Sequence, residues 1–253
     1  MELSLELIVI LILVAAFAGF IDTLAGGGGL IVLPALILAG IPPLPALGTN
    51  KLQSTMGTAT ASYWMIRSGT VRWTDVRQLM LSAFLGAGLG TVAVQFIRAD
   101  SLAIIVPLIL AVIAVYFAFS GYIARFVRRV SISDARYRRL IVPSIGFYDG
   151  MFGPGTGSFF AFAGVAFKGL DLIRATAFAK CMNFSTNFAA LLVFIAFGQL
   201  NWTVGLLMMV GQFVGAFIGA RTLVSIDPIY IRVLVVLMCL VMLTRYVYSY
   251  FNN

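Results

Sequence analysis

The sequence predicts an all-α polytopic membrane protein of two inverted-topology repeats, each a short or re-entrant helical hairpin followed by three transmembrane helices. Composition is the first observation behind this. Of 253 residues, 61% are hydrophobic and only 10% are charged, with a mean hydropathy of +1.04, whereas a soluble domain needs roughly twice that charge. The second is a recurring break. Gly19-Phe-Ile-Asp22-Thr-Leu-Ala-Gly26-Gly-Gly-Gly29 returns as Gly146-Phe-Tyr-Asp149-Gly-Met-Phe-Gly153-Pro-Gly-Thr-Gly157. The third is register. Asp22 and Asp149, like Gly26 and Gly153, are 127 residues apart. Lys51 and Lys180, Ser54 and Asn183, Thr58 and Asn187, Gly69 and Gly198, Trp73 and Trp202, Gly86 and Gly215, and Gly90 and Gly219 are all 129 apart. The chain is a duplication, with a first transmembrane repeat over residues 1–123, a basic cytoplasmic loop over 124–139 and a second repeat over 140–253.

Taken in order, Leu5 to Phe20 is unbroken hydrophobicity that ends at Asp22 and the glycines. Leu30 to Gly40 follows and is too short to cross, since eleven helical residues rise only about 16 Å against the roughly 30 Å of a hydrocarbon core. The two arms therefore read as a hairpin that enters and leaves by one face, its glycine turn near mid-membrane. Non-helical backbone at that depth must be buried in protein or face a watery cavity. Ile41-Pro-Pro-Leu-Pro45 closes the hairpin, because proline lacks the backbone donor and restricts the residue before it.

Three spans follow: Ala46 to Ile66, Val76 to Ile97 and Ser101 to Ile123. A hairpin adds no net crossing, so each half crosses an odd number of times and tandem halves insert with opposite topology. Arg125, Arg128, Arg129, Arg136, Arg138 and Arg139 crowd the connection between the halves, which the positive-inside rule places in the cytoplasm. Counting outward puts Arg67, Arg72, Arg77, Lys168, Arg174, Arg221 and Arg232 inside as well. The uncharged loop Gly198 to Trp202 and both termini fall outside. Gly86 and Gly90, with Gly211, Gly215 and Gly219, carry the small-residue spacing that lets helices approach closely, which is a packing role.

The same composition narrows the function classes. The net charge of +8 is spread through loops as a membrane orientation signal, and no basic patch carries the interleaved aromatics that nucleic acid would want. The first apolar stretch follows Glu2 and Glu6 instead of lysines and runs into the glycine break, so it reads as part of the mature chain and not as a signal peptide. Cys181 and Cys239 lie in apolar segments and imply no disulfide framework. Histidine is absent from the sequence, which removes the commonest metal ligand and general base. No cofactor, no metal and no enzymatic activity are expected.

Asp22 and Asp149 stand at the end of a hairpin arm, where a charge facing lipid would cost on the order of 3 kcal/mol or more. They need a cavity or a partner. Lys51 with Ser54 and Thr58, and Lys180 with Asn183 and Asn187, each form a polar stripe on one helix face; Asn50, Gln53 and Thr55 thicken the first. Two readings stay open. In one, each lysine snorkels to the headgroups with an aspartate capping or pairing it, as a structural ion pair. In the other, stripe and hairpin tip enclose a polar chamber into which half-helices starting near Leu30 and Ser158 point free N–H groups, and such a chamber binds anions. The candidate binding set is Gly26, Gly27, Gly28, Gly29, Gly153, Gly155, Thr156, Gly157 and Ser158 for backbone contacts, Lys51 and Lys180 for charge, and Asn50, Ser54, Asn183 and Asn187 for hydrogen bonds. Asp22 and Asp149 hold the lysines or take a proton during coupling.

The Gly-Phe-x-Asp break, the Thr49-Asn50-Lys51 stretch, the Gly-x-[Val/Leu]-x-Trp loops and the duplication together resemble the TauE/SafE family of bacterial membrane transporters, over essentially the whole chain. The resemblance implies a multi-spanning inner-membrane permease for sulfite or a small organosulfur anion such as a sulfonate. Gly153-Pro-Gly-Thr-Gly157 departs from a plain glycine run, so the two half-sites need not bind alike. The function expected is movement of a small anion by alternating access in the lipid bilayer, with an anion channel or, less favoured, a membrane-embedded enzyme as alternatives.

Overall fold

The computed structural model describes residues 4–126 and 132–222, and among these every regular element is helical. The elements are α1 (Leu5–Ala25), α2 (Gly29–Leu38), α3 (Pro43–Arg67), α4 (Trp73–Gln95) and α5 (Ala99–Phe126) in the first half. The second half has α6 (Asp134–Arg136), a π-helical turn (Tyr137–Ile141), α7 (Val142–Met151), α8 (Thr156–Lys168), α9 (Leu172–Ala196) and α10 (Trp202–Thr222). Among the described residues, four helices are long and apolar enough to cross a membrane: Leu5–Leu24, Trp73–Gln95, Leu172–Ala196 and Trp202–Thr222. The chain is a polytopic membrane protein.

Local chemistry sets the boundaries. Ser4 caps α1 by accepting from the Leu7 amide at 3.3 Å, and Asp171 caps α9 by accepting from Arg174 at 2.9 Å, each satisfying an N–H that the helix leaves orphaned. Pro43 opens α3, where its missing N–H costs nothing. Gly26 ends α1 with φ +77°, a left-handed conformation that glycine adopts without a Cβ penalty.

Several elements differ from the sequence reading. The first apolar arm does not stop at Phe20; it continues as helix to Ala25, and its 21 residues rise about 31 Å, enough to cross alone. Asp22 is therefore a residue of the last helical turn. The segment 124–139, expected as loop, is helical at both ends, because α5 runs to Phe126 and helix resumes at Asp134 behind a Ser133 cap. Arg136, Arg138 and Arg139 thus lie on a helical segment. There the Arg138 guanidinium donates to Gln78 on α4, and Asp134 pairs with Lys168 at the end of α8. The span expected from Ala46 is the 25-residue α3, whose polar stripe keeps it out of the apolar set. Arg128, Arg129, Arg232, Cys239 and the last span of the second half lie outside the described residues.

The most extensive packing joins α1 to α10 and α4 to α7, followed by α4 on α9, α10 on α3, and α3 on α9. Each hairpin thus docks on the other half of the chain. Glycines make these crossings close. A methyl at Gly86 or Gly90 would fall on the carbonyl of Pro143 or Phe147, and one at Gly215 on that of Ala16. Gly86 and Pro143 correspond, position for position, to Gly215 and Ala16 in the duplication. Two apolar clusters complete the packing. One centres on Leu30, Ile31, Leu33 and Leu36 of α2, the other on Phe160, Phe178 and Met182 of α8 and α9.

Candidate functional site

The two glycine breaks meet at the centre of this packing. A Cβ on Gly26 would overlap the backbone of Gly157, and one on Gly29 would touch the Pro154 Cα at 3.4 Å. Helices α2 and α8 begin there, at Gly29 and Thr156, one and two residues earlier than expected. A side chain at Gly26 or Gly157 would drive the breaks apart, so these two glycines are needed for proximity, and Gly26, at φ +77°, for turning as well.

On these breaks sit two buried ion pairs, and they are crossed. The Lys51 ammonium of the first half donates to Asp149 Oδ1 of the second at 2.7 Å and to Asn187 Oδ1 at 3.2 Å. The Lys180 ammonium of the second half donates to Asp22 Oδ2 of the first at 3.1 Å and to the Asp22 backbone carbonyl. Both lysines are 1% exposed, so neither snorkels to the surface. Removing such charges from water costs several kcal/mol per ion, which only good pairing and additional hydrogen bonds offset.

Those hydrogen bonds are present and differ between the halves. Asp22 Oδ1 accepts the Gly28 amide at 3.1 Å, so this carboxylate also caps the start of α2. Asp149 Oδ1 accepts the Thr156 hydroxyl at 3.0 Å, while its Oδ2 is buried without a partner. On α3, Gln53 donates from Nε2 to Asn50 Oδ1 and to Ser54 Oγ, both at 2.9 Å. On α9, Asn187 donates to Asn183 Oδ1 at 3.2 Å.

Together these groups enclose a polar chamber. Asp22, Gly26, Gly29, Asn50, Lys51 and Ser54 line it from the first half, and Asp149, Gly153, Asn183 and Asn187 from the second. Its free volume is about 10 Å³, room for one water molecule. Of the remaining candidates, Gly27, Gly28, Gly155, Thr156, Gly157, Ser158 and Lys180 do not line it. Lys180 holds the C-terminal end of α1 through Asp22, and the Thr156 hydroxyl reaches the chamber through Asp149 Oδ1 at 3.0 Å and the Gly153 carbonyl at 2.8 Å.

Two residues outside the candidate set matter. Gln53 is fully buried and fixes the orientations of Asn50 and Ser54; its place in the polar stripe was the available signal. Tyr148 donates to the Pro154 carbonyl at 2.7 Å and so pins the second break. Nothing in the spacing of a single tyrosine beside an aspartate marks that role.

Comparison with known proteins identifies a family. The family description "Sulfite exporter TauE/SafE" matches residues 11–246. A Haemophilus influenzae protein named "Probable membrane transporter protein" is 40% identical over 249 residues, covering 98% of each chain. A Sinorhizobium protein, "Probable membrane transporter protein ORF9", is 40% identical over 96% of this chain and 94% of its own. The Escherichia coli K12 protein "Probable membrane transporter protein YfcA" is 39% identical over 95% of this chain and 89% of its own. No solved structure matches the chain. A family match across nearly the full length, with relatives covered almost end to end, places this chain in the sulfite exporter TauE/SafE family.

Proposed function

We propose that the chain is a secondary transporter of the bacterial inner membrane that moves a small anion, sulfite or an organosulfonate, by alternating access between two inverted repeats. The names of its family and relatives support the transporter class, and the crossed ion pairs support the mechanism. Each pair takes its cation from one half and its carboxylate from the other, so breaking either one loosens the contact between the halves. An anion that competes with Asp149 for the Lys51 ammonium couples its own binding to that loosening. Asn50, Ser54, Asn183 and Asn187 surround it with donors, and the starts of α2 and α8 add positive dipole ends. At about 10 Å³ the chamber is smaller than any such anion, which suits a closed state between two open ones. In this reading the basic connection is cytoplasmic and both termini are outside.

Counterflow in proteoliposomes tests it. Vesicles loaded with unlabelled sulfite or methanesulfonate should accumulate the labelled anion transiently and saturably, and Lys51→Met should abolish this. Linear flux without counterflow supports a channel instead, and counterflow that persists in Lys51→Met removes the lysine from the site.

A further inference from the structure

Charge balance at the chamber leads one step beyond substrate binding. Two ammonium groups, Lys51 and Lys180, face two carboxylates, Asp149 and Asp22, so the resting site is neutral. A monoanion arriving alone would leave an uncompensated negative charge in a region of low dielectric, a cost of several kcal/mol. A proton arriving with it restores neutrality.

The two carboxylates are unequal recipients. Both oxygens of Asp22 already accept donors, Gly28 N–H on Oδ1 and Lys180 on Oδ2, each at 3.1 Å. A proton there would have to share an oxygen that already holds a donor. Asp149 gathers Lys51 and Thr156 on Oδ1 and leaves Oδ2 buried and unpartnered. The residue is 1% exposed and lines the chamber. Of the charged groups on the elements around α7, Lys51 on α3 touches Asp149 and Lys180 on α9 is engaged by Asp22. Asp75 and Arg77 near the start of α4, Arg138 and Arg139 on the π-helical turn, Arg174 near the start of α9 and Lys168 at the end of α8 all lie outside the chamber lining. The neighbouring Tyr148 hydroxyl is committed to the Pro154 carbonyl.

We infer that Asp149 is the proton-coupling site, and that the protein carries one proton with each monovalent anion. The proton adds to Oδ2, converting the carboxylate to a carboxylic acid while Oδ1 keeps its donors. The Lys51 ammonium, no longer neutralised, then takes the anion as its counter-ion. Release reverses both steps, and no net charge crosses the membrane. Asp22 and Lys180 remain paired throughout.

This inference rests on the transporter reading above, and the experiment separates the two. Full-length protein in liposomes is given methanesulfonate, whose charge does not titrate, under an imposed pH gradient, with a trapped pH dye reporting the lumen. Expected are accumulation of up to about tenfold per unit of pH difference, anion-evoked acidification of the lumen, and insensitivity to an imposed potential. Asp149→Asn should lose both accumulation and acidification while still exchanging anion, and Asp75→Asn, which removes a carboxylate outside the chamber near the start of α4, should retain both. Counterflow without gradient-driven accumulation, or accumulation that survives Asp149→Asn, overturns the inference alone. Absence of counterflow in the wild type overturns it together with the transporter reading.

Discussion

Removing one member of a crossed ion pair and then both distinguishes this arrangement from pairing within each half. Lys51→Met deletes the ammonium that Asp149 meets at 2.7 Å and strands a carboxylate that is 1% exposed. Breaking a buried pair from one side costs about 3–5 kcal/mol, because the remaining charge is uncompensated. For a chain of this size that corresponds to a melting temperature lowered by about 6–20 °C. Asp149→Asn leaves Lys51 with only Asn187 and an amide oxygen, at a similar cost. In Lys51→Met/Asp149→Asn no charge remains unpaired, and the double variant should recover about 2–3 kcal/mol relative to the sum of its parts. Lys51→Met/Asp22→Asn should recover nothing, since it strands one charge in each of two pairs. Its summed loss of about 6–10 kcal/mol is comparable with the whole stability of a domain, so the cooperative melt should disappear. Thermal unfolding of purified protein in detergent reads all five forms. Recovery by Asp22→Asn in place of Asp149→Asn would refute the crossed geometry.

Two further expectations concern the scaffold. Gly90→Ala and Gly215→Ala each place a methyl on a carbonyl of the helix opposite and should cost about 1–3 kcal/mol, whereas Gly88→Ala, which meets nothing within 4 Å, should gain up to about 1 kcal/mol of helix propensity. Equal melting temperatures for the three would remove the glycine crossings as a source of stability. Thr74 and Thr203 are exposed, equivalent positions near the starts of α4 and α10. In a Cys181→Ala/Cys239→Ala background, Thr203→Cys should react with an impermeant thiol reagent in intact cells and Thr74→Cys only after lysis. Reaction of both from one side would refute inverted insertion.

Much of the scaffold was legible because duplication exposes it. The starts of α2 and α8 could be placed within two residues, since a glycine break followed by an apolar run has few other solutions. The Gly86 and Gly215 spacings read as packing sites, and both lie against backbone carbonyls. The end of α1 was not legible. Asp22 looked like a helix terminator, yet its carboxylate is satisfied by Gly28 and Lys180, so the helix continues through it to Gly26. Nor could the pairing of lysines and aspartates be read. Equivalent residues in two repeats permit a pair within each half or an exchange between halves, and linear spacing is identical for both. Only the docking of α1 on α10 and of α7 on α4 selects the exchange.

That exchange explains how two halves of similar sequence can hold an asymmetric site. Gly28 and Gly155 are equivalent positions, but Gly28 has helical backbone with φ −56°, and Gly155 is left-handed with φ +79°. In the first conformation the amide donates to Asp22 Oδ1. In the second, Thr156 supplies the donor through its hydroxyl instead, on the oxygen that Lys51 already holds. The other carboxylate oxygen is left alone. Thr156 stands where the first half has Gly29, and Pro154 where it has Gly27, so the sequence difference sits at the residues that change the hydrogen-bonding pattern. The first half-site is closed on itself and suited to holding α1 and α2 together. The second keeps an unfilled acceptor beside the chamber. Exchange of partners places the cation of that second site, Lys51, on the α3 stripe with Asn50, Gln53 and Ser54, the more heavily hydrogen-bonded of the two. The chemistry therefore concentrates where α3 meets the second break, while Asp22 and Lys180 maintain the frame against which that junction moves.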